Sequence, residues 1–392
     1  MPRNCTAYNH SLERKHCIIN INWRLIIMKT VAELDRGDCA ARTGVVDCDV
    51  HVVPRNPEEI KAYLSQPWKH RFSIWTNNFY KNPISPQRTV PSGGGKPGSE
   101  PEFLREQLFD VQGIDTAILL PRSHVCMHHD PDYASAVATA YNEWLSDSWL
   151  GEYNPDGRFK GSITIAHQDP ASAAKEIDRW AGHAHFVQVL IDSGARAPLG
   201  QRQYYPIYDA CVRHELPLVI HPGTDGMGIN ILASQGYPSH FLEYYAGLSF
   251  AMQVHLLSIL TEGVFERYPN LRIVIAEGGV AWLPALMWRL DQEYKGLRSE
   301  IPWVKKRPSD YLREHVRFTA SPLERPLKDE DLMDVLSMFD YENLLMYSSD
   351  YPDEHYASPD SFSFLPSDSR QKILSDNARQ LYRLGESQSK EH

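Results

Sequence analysis

Val45-Val46-Asp47-Cys48-Asp49-Val50-His51 reads as a short buried strand that ends in two side chains able to hold a metal. Gly44 precedes it, and Val45 and Val46 are β-branched, which suits a pleated, buried strand. Successive side chains of a strand alternate between faces, so Asp49 and His51 share one. A carboxylate beside an imidazole at a strand's carboxyl end is half of a metal site.

Seven further apolar stretches have the same character, at 116–120, 159–165, 186–191, 216–220, 271–276, 316–319 and 344–347. Helical patterns follow each. One is 132–150, with Ala134, Val137, Ala138, Tyr141, Trp144 and Leu145 near a 3.6 spacing. Another starts at Asp169-Pro170, a cap followed by a proline at the first helical position. The long stretch 239–268 reads as one helical region, and Ser367 as the cap of the last helix. Strands alternating with helices pair in parallel through right-handed crossovers. Eight such units predict an α/β chain, a closed (β/α)8 TIM-like barrel over 45–392. An open doubly wound sheet is the structural alternative. It would carry a Gly-rich phosphate turn after the first strand, where this chain has Val52-Val53-Pro54.

The first strand is followed by a long insertion. It holds a short helix near 57–64, the aromatic run WKHRFSIWTNNFY at 68–80, and a Pro/Gly-rich stretch over 82–101 with Gly93-Gly94-Gly95. A barrel enzyme commonly builds a substrate lid there. Residues 1–44 read as an N-terminal extension or arm. The apolar stretch at 17–27 is interrupted by Asn20, Asn22 and Arg24 and is too short to cross a bilayer.

The 392 residues carry a formal net charge of −10, which argues against a nucleic-acid or anionic-membrane partner. Six cysteines without a CxxC pair form no disulfide framework, so a reducing, cytoplasmic setting is expected. The partner expected is a small molecule.

In such a barrel the chemistry lies at the carboxyl ends of the strands. Strand one ends in Asp49-Val50-His51, strand five in His221-Pro222-Gly223, strand six in Glu277-Gly278-Gly279, and strand eight in Ser348-Ser349-Asp350-Tyr351-Pro352. Scattered over the sequence, these groups would meet at one mouth. Two histidines and two carboxylates there would hold one divalent ion and leave a position open. Each residue also has a plainer role: Asp49 as a turn cap, His221 as a packed core histidine, Asp350 in an Asx-turn before Pro352, Glu277 holding turn amides. His124, His128 and His129, in RSHVCMHHD, lack strand-end placement, so loop surface or substrate contact suits them better than a metal cluster. His355, just after the last motif, would line the mouth or stand in solvent.

The pattern resembles the amidohydrolase superfamily, in the branch that includes aminocarboxymuconate-semialdehyde decarboxylase and related aromatic-acid decarboxylases. The resemblance rests on the Asp-x-His after strand one, Asn142-Glu143-Trp144-Leu145, His221-Pro222-Gly223, GVFERYP at 263–269, the helix from Trp282-Leu283-Pro284 to Arg289-Leu290-Asp291, and Ser349-Asp350-Tyr351-Pro352. It implies metal-ligand roles for Asp49, His51, His221 and Asp350, and a homodimer. Two positions depart from the branch. Asp49 replaces the first histidine of the commoner His-x-His, and Glu277 stands where characterised members carry a catalytic histidine. His255, on the preceding helix, is the candidate for the displaced imidazole. Strand four ends in Asp192, with no lysine to become a bridging carbamate, so one ion is expected, Zn²⁺ first and Mn²⁺ as the alternative suited to oxygen ligands.

The leading expectation is a metal-dependent hydrolase, with water activated to attack an amide or related C–N or C–O bond. Asp350 would take a proton from that water, and Glu277 or His255 would pass one to the leaving group. The alternative is a non-oxidative aromatic-acid decarboxylase, for which Arg55 and Arg122 are candidate carboxylate partners and His124 a substrate contact. A cyclase using an internal nucleophile, or a barrel that binds without turnover, are further readings.

Overall fold

The computed structural model describes residues 44–73, 94–230, 239–353 and 357–385. Most of the N-terminal arm, the bulk of the Pro/Gly-rich insertion and His355 lie outside the described residues. Eight parallel strands stand in sequence order: β1 (Val45–Val52), β2 (Ile114–Pro121), β3 (Phe159–Thr164), β4 (Phe186–Asp192), β5 (Leu218–His221), β6 (Ile273–Ile275), β7 (Val316–Thr319) and β8 (Leu345–Met346). Each pairs with the next. The ends meet through backbone bonds from Cys48 N–H to Tyr347 O (3.0 Å), His51 N–H to Tyr351 O (2.8 Å) and Asp350 N–H to Asp49 O (3.1 Å). The TIM-like barrel expected from the alternation is therefore the observed architecture.

The strands divide their side chains between two cores. Val50, Val52, Ile163, Ile220, Ile275 and Phe318 pack outward with the helices. Val46, Cys48, Ile118, Leu120, Val219, Val274 and Met346 fill the interior, where Tyr382 of the last helix packs with them. β1 changes phase between these sets. Val46 and Cys48 belong to the inner cluster, yet Val50 and Val52 belong to the outer one. The switch coincides with a register shift against β2 between Asp47 and Val50. One extra residue in a strand re-aims the side chains beyond it. Cys48 and Asp49 thus both turn inward, and so does His51.

Several helices differ from their sequence pattern at identifiable residues. The stretch 239–268 is three helices, Phe241–Ala246, Leu248–Thr261 and Val264–Arg267, because the chain breaks at Gly247 and at Gly263, whose φ is +73°. Asp169 caps Pro170–Trp180 as the sequence predicts, its carboxylate accepting the Ser172 N–H at 3.1 Å. Ser367 is the first helical residue of Ser367–Gln371 and not its cap, a place taken by Pro366. Among the described residues no helix is long and apolar enough to cross a membrane.

Candidate metal centre and cavity

Four strand ends bring their polar side chains to one point. His51 Nε2 lies 3.5 Å from Asp49 Oδ1 and 3.3 Å from Asp350 Oδ1. His221 Nε2 lies 3.7 Å from Asp49 Oδ2 and 3.3 Å from Glu277 Oε2. The two imidazoles meet edge to face with centroids 4.8 Å apart. One ligand atom from each of Asp49, His51 and His221, and likewise from His51, Glu277 and Asp350, fits within 4.8 Å of the others. All of these residues are buried except His221, which is partly so.

Such a cluster is costly without a cation. Burial, with Asp350 and Asp47 close by, pushes the Asp49 carboxyl well above the usual carboxylate range. Burial and Asp350 do the same to Glu277. Burial, with His51 and Arg122 nearby, holds His221 well below the ordinary imidazole value. Both carboxylate oxygens of Asp49, Oδ1 of Asp350 and Nε2 of His221 are buried and make no hydrogen bond. Orphaned buried acceptors of this kind are rare. A divalent cation would satisfy them all, so the donor set fits a metal. His221 is oriented for that role: its Nδ1–H donates to the Pro222 carbonyl at 2.8 Å, which leaves the Nε2 lone pair facing the carboxylates. Glu277 and Asp350 have φ of +47° and +61°. This left-handed backbone is uncommon outside glycine and clusters at functional sites.

The cluster opens into a cavity of about 680 Å³ lined by His51, His221 and Glu277, with Arg122, His124 and Tyr245 among the other walls. Arg122 reaches within 3.9 Å of Asp350 Oδ1. His124 and His128 both face this cavity, while His129 is exposed.

Two candidates are placed elsewhere. Arg55 pairs with Glu100 at 3.0 Å and Glu59 at 3.8 Å and is not part of the cavity wall. The acidic residues of its own neighbourhood have claimed its charge. His255 accepts the Leu199 N–H on Nδ1 at 3.2 Å and donates from Nε2 to the Ser193 carbonyl at 2.6 Å. Both nitrogens serve the loop after β4, so this imidazole does not replace the missing one. Two further carboxyls, not expected there, lie beside the site. Asp47, within the opening stretch itself, is pushed up to about 7 by burial. Asp192, on the cavity wall, is pushed up to about 7 by burial and Asp225. Both were visible in the strand pattern, Asp47 two residues before Asp49 and Asp192 at the end of β4.

A family model described as amidohydrolase matches residues 46–384. The gamma-resorcylate decarboxylases of Polaromonas sp. and Rhodococcus jostii are each 27% identical to this chain, covering 75% and 76% of it and 94% and 95% of their own length. Among solved structures, 5-carboxyvanillate decarboxylase from Novosphingobium aromaticivorans, complexed with manganese and 4-hydroxy-3-methoxy-5-nitrobenzoic acid, is 26% identical. It has a TM-score of 0.65 and covers 87% of this chain and 96% of that one. Dihydroxybenzoic acid decarboxylase from Polaromonas sp., with bound manganese and 2-nitroresorcinol, shares the fold at 20% identity, with a TM-score of 0.63 and coverage of 88% and 98%. With four strand ends converging on side chains able to hold a metal, and a family model matching from β1 to the last helix, the chain belongs to the amidohydrolase family as an enzyme of the branch that holds aromatic-acid decarboxylases.

Proposed function

We propose that the protein is a non-oxidative decarboxylase of a hydroxylated aromatic acid that works with one divalent cation. The observation that carries the reading is the pairing of a metal donor set with Arg122 and Glu277 in one cavity. The relatives named above are decarboxylases, and that favours carboxyl loss over the hydrolysis expected first from the sequence. Asp49, His51, His221 and Asp350 would hold the ion. When bound it would act as a Lewis acid toward a substrate carboxylate and its ortho hydroxyl. The two carboxylate donors and the manganese in related structures support Mn²⁺ over the Zn²⁺ expected first.

The remaining work falls to side chains. Arg122, on the cavity wall, offsets the carboxylate charge of the incoming acid. Glu277 stands at the end of β6, facing the same cavity and within 3.3 Å of His221. It delivers a proton to the ring carbon that bears the carboxyl group. The new C–H bond forms there, the C–C bond breaks, its electron pair restores the aromatic ring, and carbon dioxide leaves. Glu277 is then recharged from solvent through the open cavity. His124 contributes a polar wall. A homodimer, implied by the family resemblance, and a reducing, cytoplasmic setting belong to the same proposal. The three described cysteines, Cys48, Cys126 and Cys211, are free and buried, in keeping with that setting.

Turnover of 2,6-dihydroxybenzoate in D₂O tests the reaction. The expected product is resorcinol carrying one deuterium at the former carboxyl carbon, seen by NMR. Unchanged acid across a panel of ortho-hydroxybenzoates, with metal bound, would overturn it.

A further inference from the structure

The two metal carboxylates, Asp49 and Asp350, come from opposite ends of the barrel sequence and face each other where β8 meets β1. That seam is thin. β8 spans two residues, and the seam is joined by the Val50–Tyr351 bridge and the three backbone hydrogen bonds given above. It is also irregular on both sides: β1 carries the extra residue that turns Asp49 inward, and Asp350 has φ of +61°. Those backbone bonds link the two irregular segments, and a side chain that fastens both at once adds to them.

We propose that Asp47 is a positioning residue that pins the inward turn of Asp49 to the loop carrying Asp350. Its Oδ1 accepts two backbone N–H groups at once, from Asp49 at 3.2 Å and from Ser349 at 2.9 Å. The first donor is the metal-site residue on β1. The second precedes Asp350 directly. One fully buried oxygen thus fastens both segments across 302 residues of sequence. Ser349 extends the clamp, its hydroxyl accepting the Tyr351 N–H at 3.0 Å. Asp47 is neither among the clustered metal-ligand groups nor on the cavity wall. It acts by fixing the distance between two donors that do.

The test compares Asp47→Ala with Asp47→Asn, which keeps an acceptor oxygen in the same place. Two readouts are taken: Mn²⁺ affinity by titration calorimetry, and hydrogen exchange of the peptides over 45–52 and 347–353 in metal-free protein. Asp47→Ala is expected to weaken Mn²⁺ binding roughly 10- to 100-fold, as outer groups that orient metal ligands do, and to speed exchange in both peptides together. Asp47→Asn is expected to stay within about threefold of the parent in affinity and to keep the protection. Parent-like affinity and protection in Asp47→Ala would overturn the proposal. An Asn variant as impaired as the Ala variant would also overturn it, since the charge and not the acceptor would then matter. Should Asp47→Ala not fold, Asp47→Ser, whose oxygen is too short to reach both amides, takes its place with the same expectations. The affinity arm rests on the metal reading above. If the parent protein binds no Mn²⁺, that reading fails, while the exchange arm still decides the clamp.

Discussion

In the proposed reaction Glu277 is the residue on which the chemistry turns. A histidine at the end of β6 would carry a proton near neutral pH without help. A carboxyl group does so only if its surroundings keep it protonated, and with no cation bound burial and Asp350 push Glu277 in that direction. Glu277→Gln keeps the shape and removes the transferable proton. It is expected to lower kcat by about 10²- to 10⁴-fold with Mn²⁺ still bound and KM little changed; steady-state kinetics beside a metal assay check this. Arg122→Met is expected to raise KM by roughly tenfold or more with a smaller effect on kcat, because a charge-assisted contact contributes about 1.5–3 kcal/mol. At this scale the sequence was legible where backbone periodicity decides direction. Asp49, His51, His221 and Asp350 all sit at strand ends and all converge. It was opaque where tertiary partners decide. Nothing in the local sequence shows that Glu100 engages Arg55, or that Leu199 and Ser193 occupy both nitrogens of His255.

Among elements, the loop after β4 has the clearest pH signature. His255 holds Ser193 and Leu199, and His167 donates to the Gly194 carbonyl at 2.6 Å. Burial pushes each imidazole down to about 4. A base whose folded pKa is depressed stabilises the fold above its unfolded value near 6.5 and loses that contribution as pH falls towards 4. The shift corresponds to about 3 kcal/mol for His255. Asp192 and Asp225, raised to about 7 and 6, act in the opposite sense over the same range. The histidine effect is therefore read as a difference. Denaturant-unfolding curves of the parent and of His255→Asn are expected to converge as pH drops from about 6.5 to 4. A constant gap between them would contradict the neutral, buried imidazole. A second element-scale expectation concerns Asp169: Asp169→Ala removes the cap of Pro170–Trp180 and is expected to cost about 1 kcal/mol by the same measurement. That cap was readable from Asp169-Pro170 alone. The breaks at Gly247 and Gly263 were not, because the apolar pattern runs on through both.

For the whole molecule, the decisive feature is a cylinder that brings Asp49, on its first strand, and Asp350, on the loop after its last, to one point. Its eight strands were legible because each is a short apolar run with a helical pattern after it, and their order is that of the chain itself. The phase change within β1 was not legible. Simple alternation places Asp49 and His51 together, which is right, but it also places them with Asp47, whose carboxylate instead serves the backbone. Filling the site should stabilise the entire barrel, since an ion that binds only the folded state contributes about 2.7 kcal/mol at a hundred times its Kd. The measurement that bears most directly on the central claim is carbon dioxide release from ortho-hydroxybenzoates by the protein stripped of metal and then titrated with Mn²⁺. No release is expected from the stripped protein, release that rises to a plateau at one ion per chain on titration, and none from metal-saturated Glu277→Gln above about a hundredth of the parent rate. Equal release without metal, or one ion bound per chain with no carbon dioxide from any member of the panel, would contradict that claim.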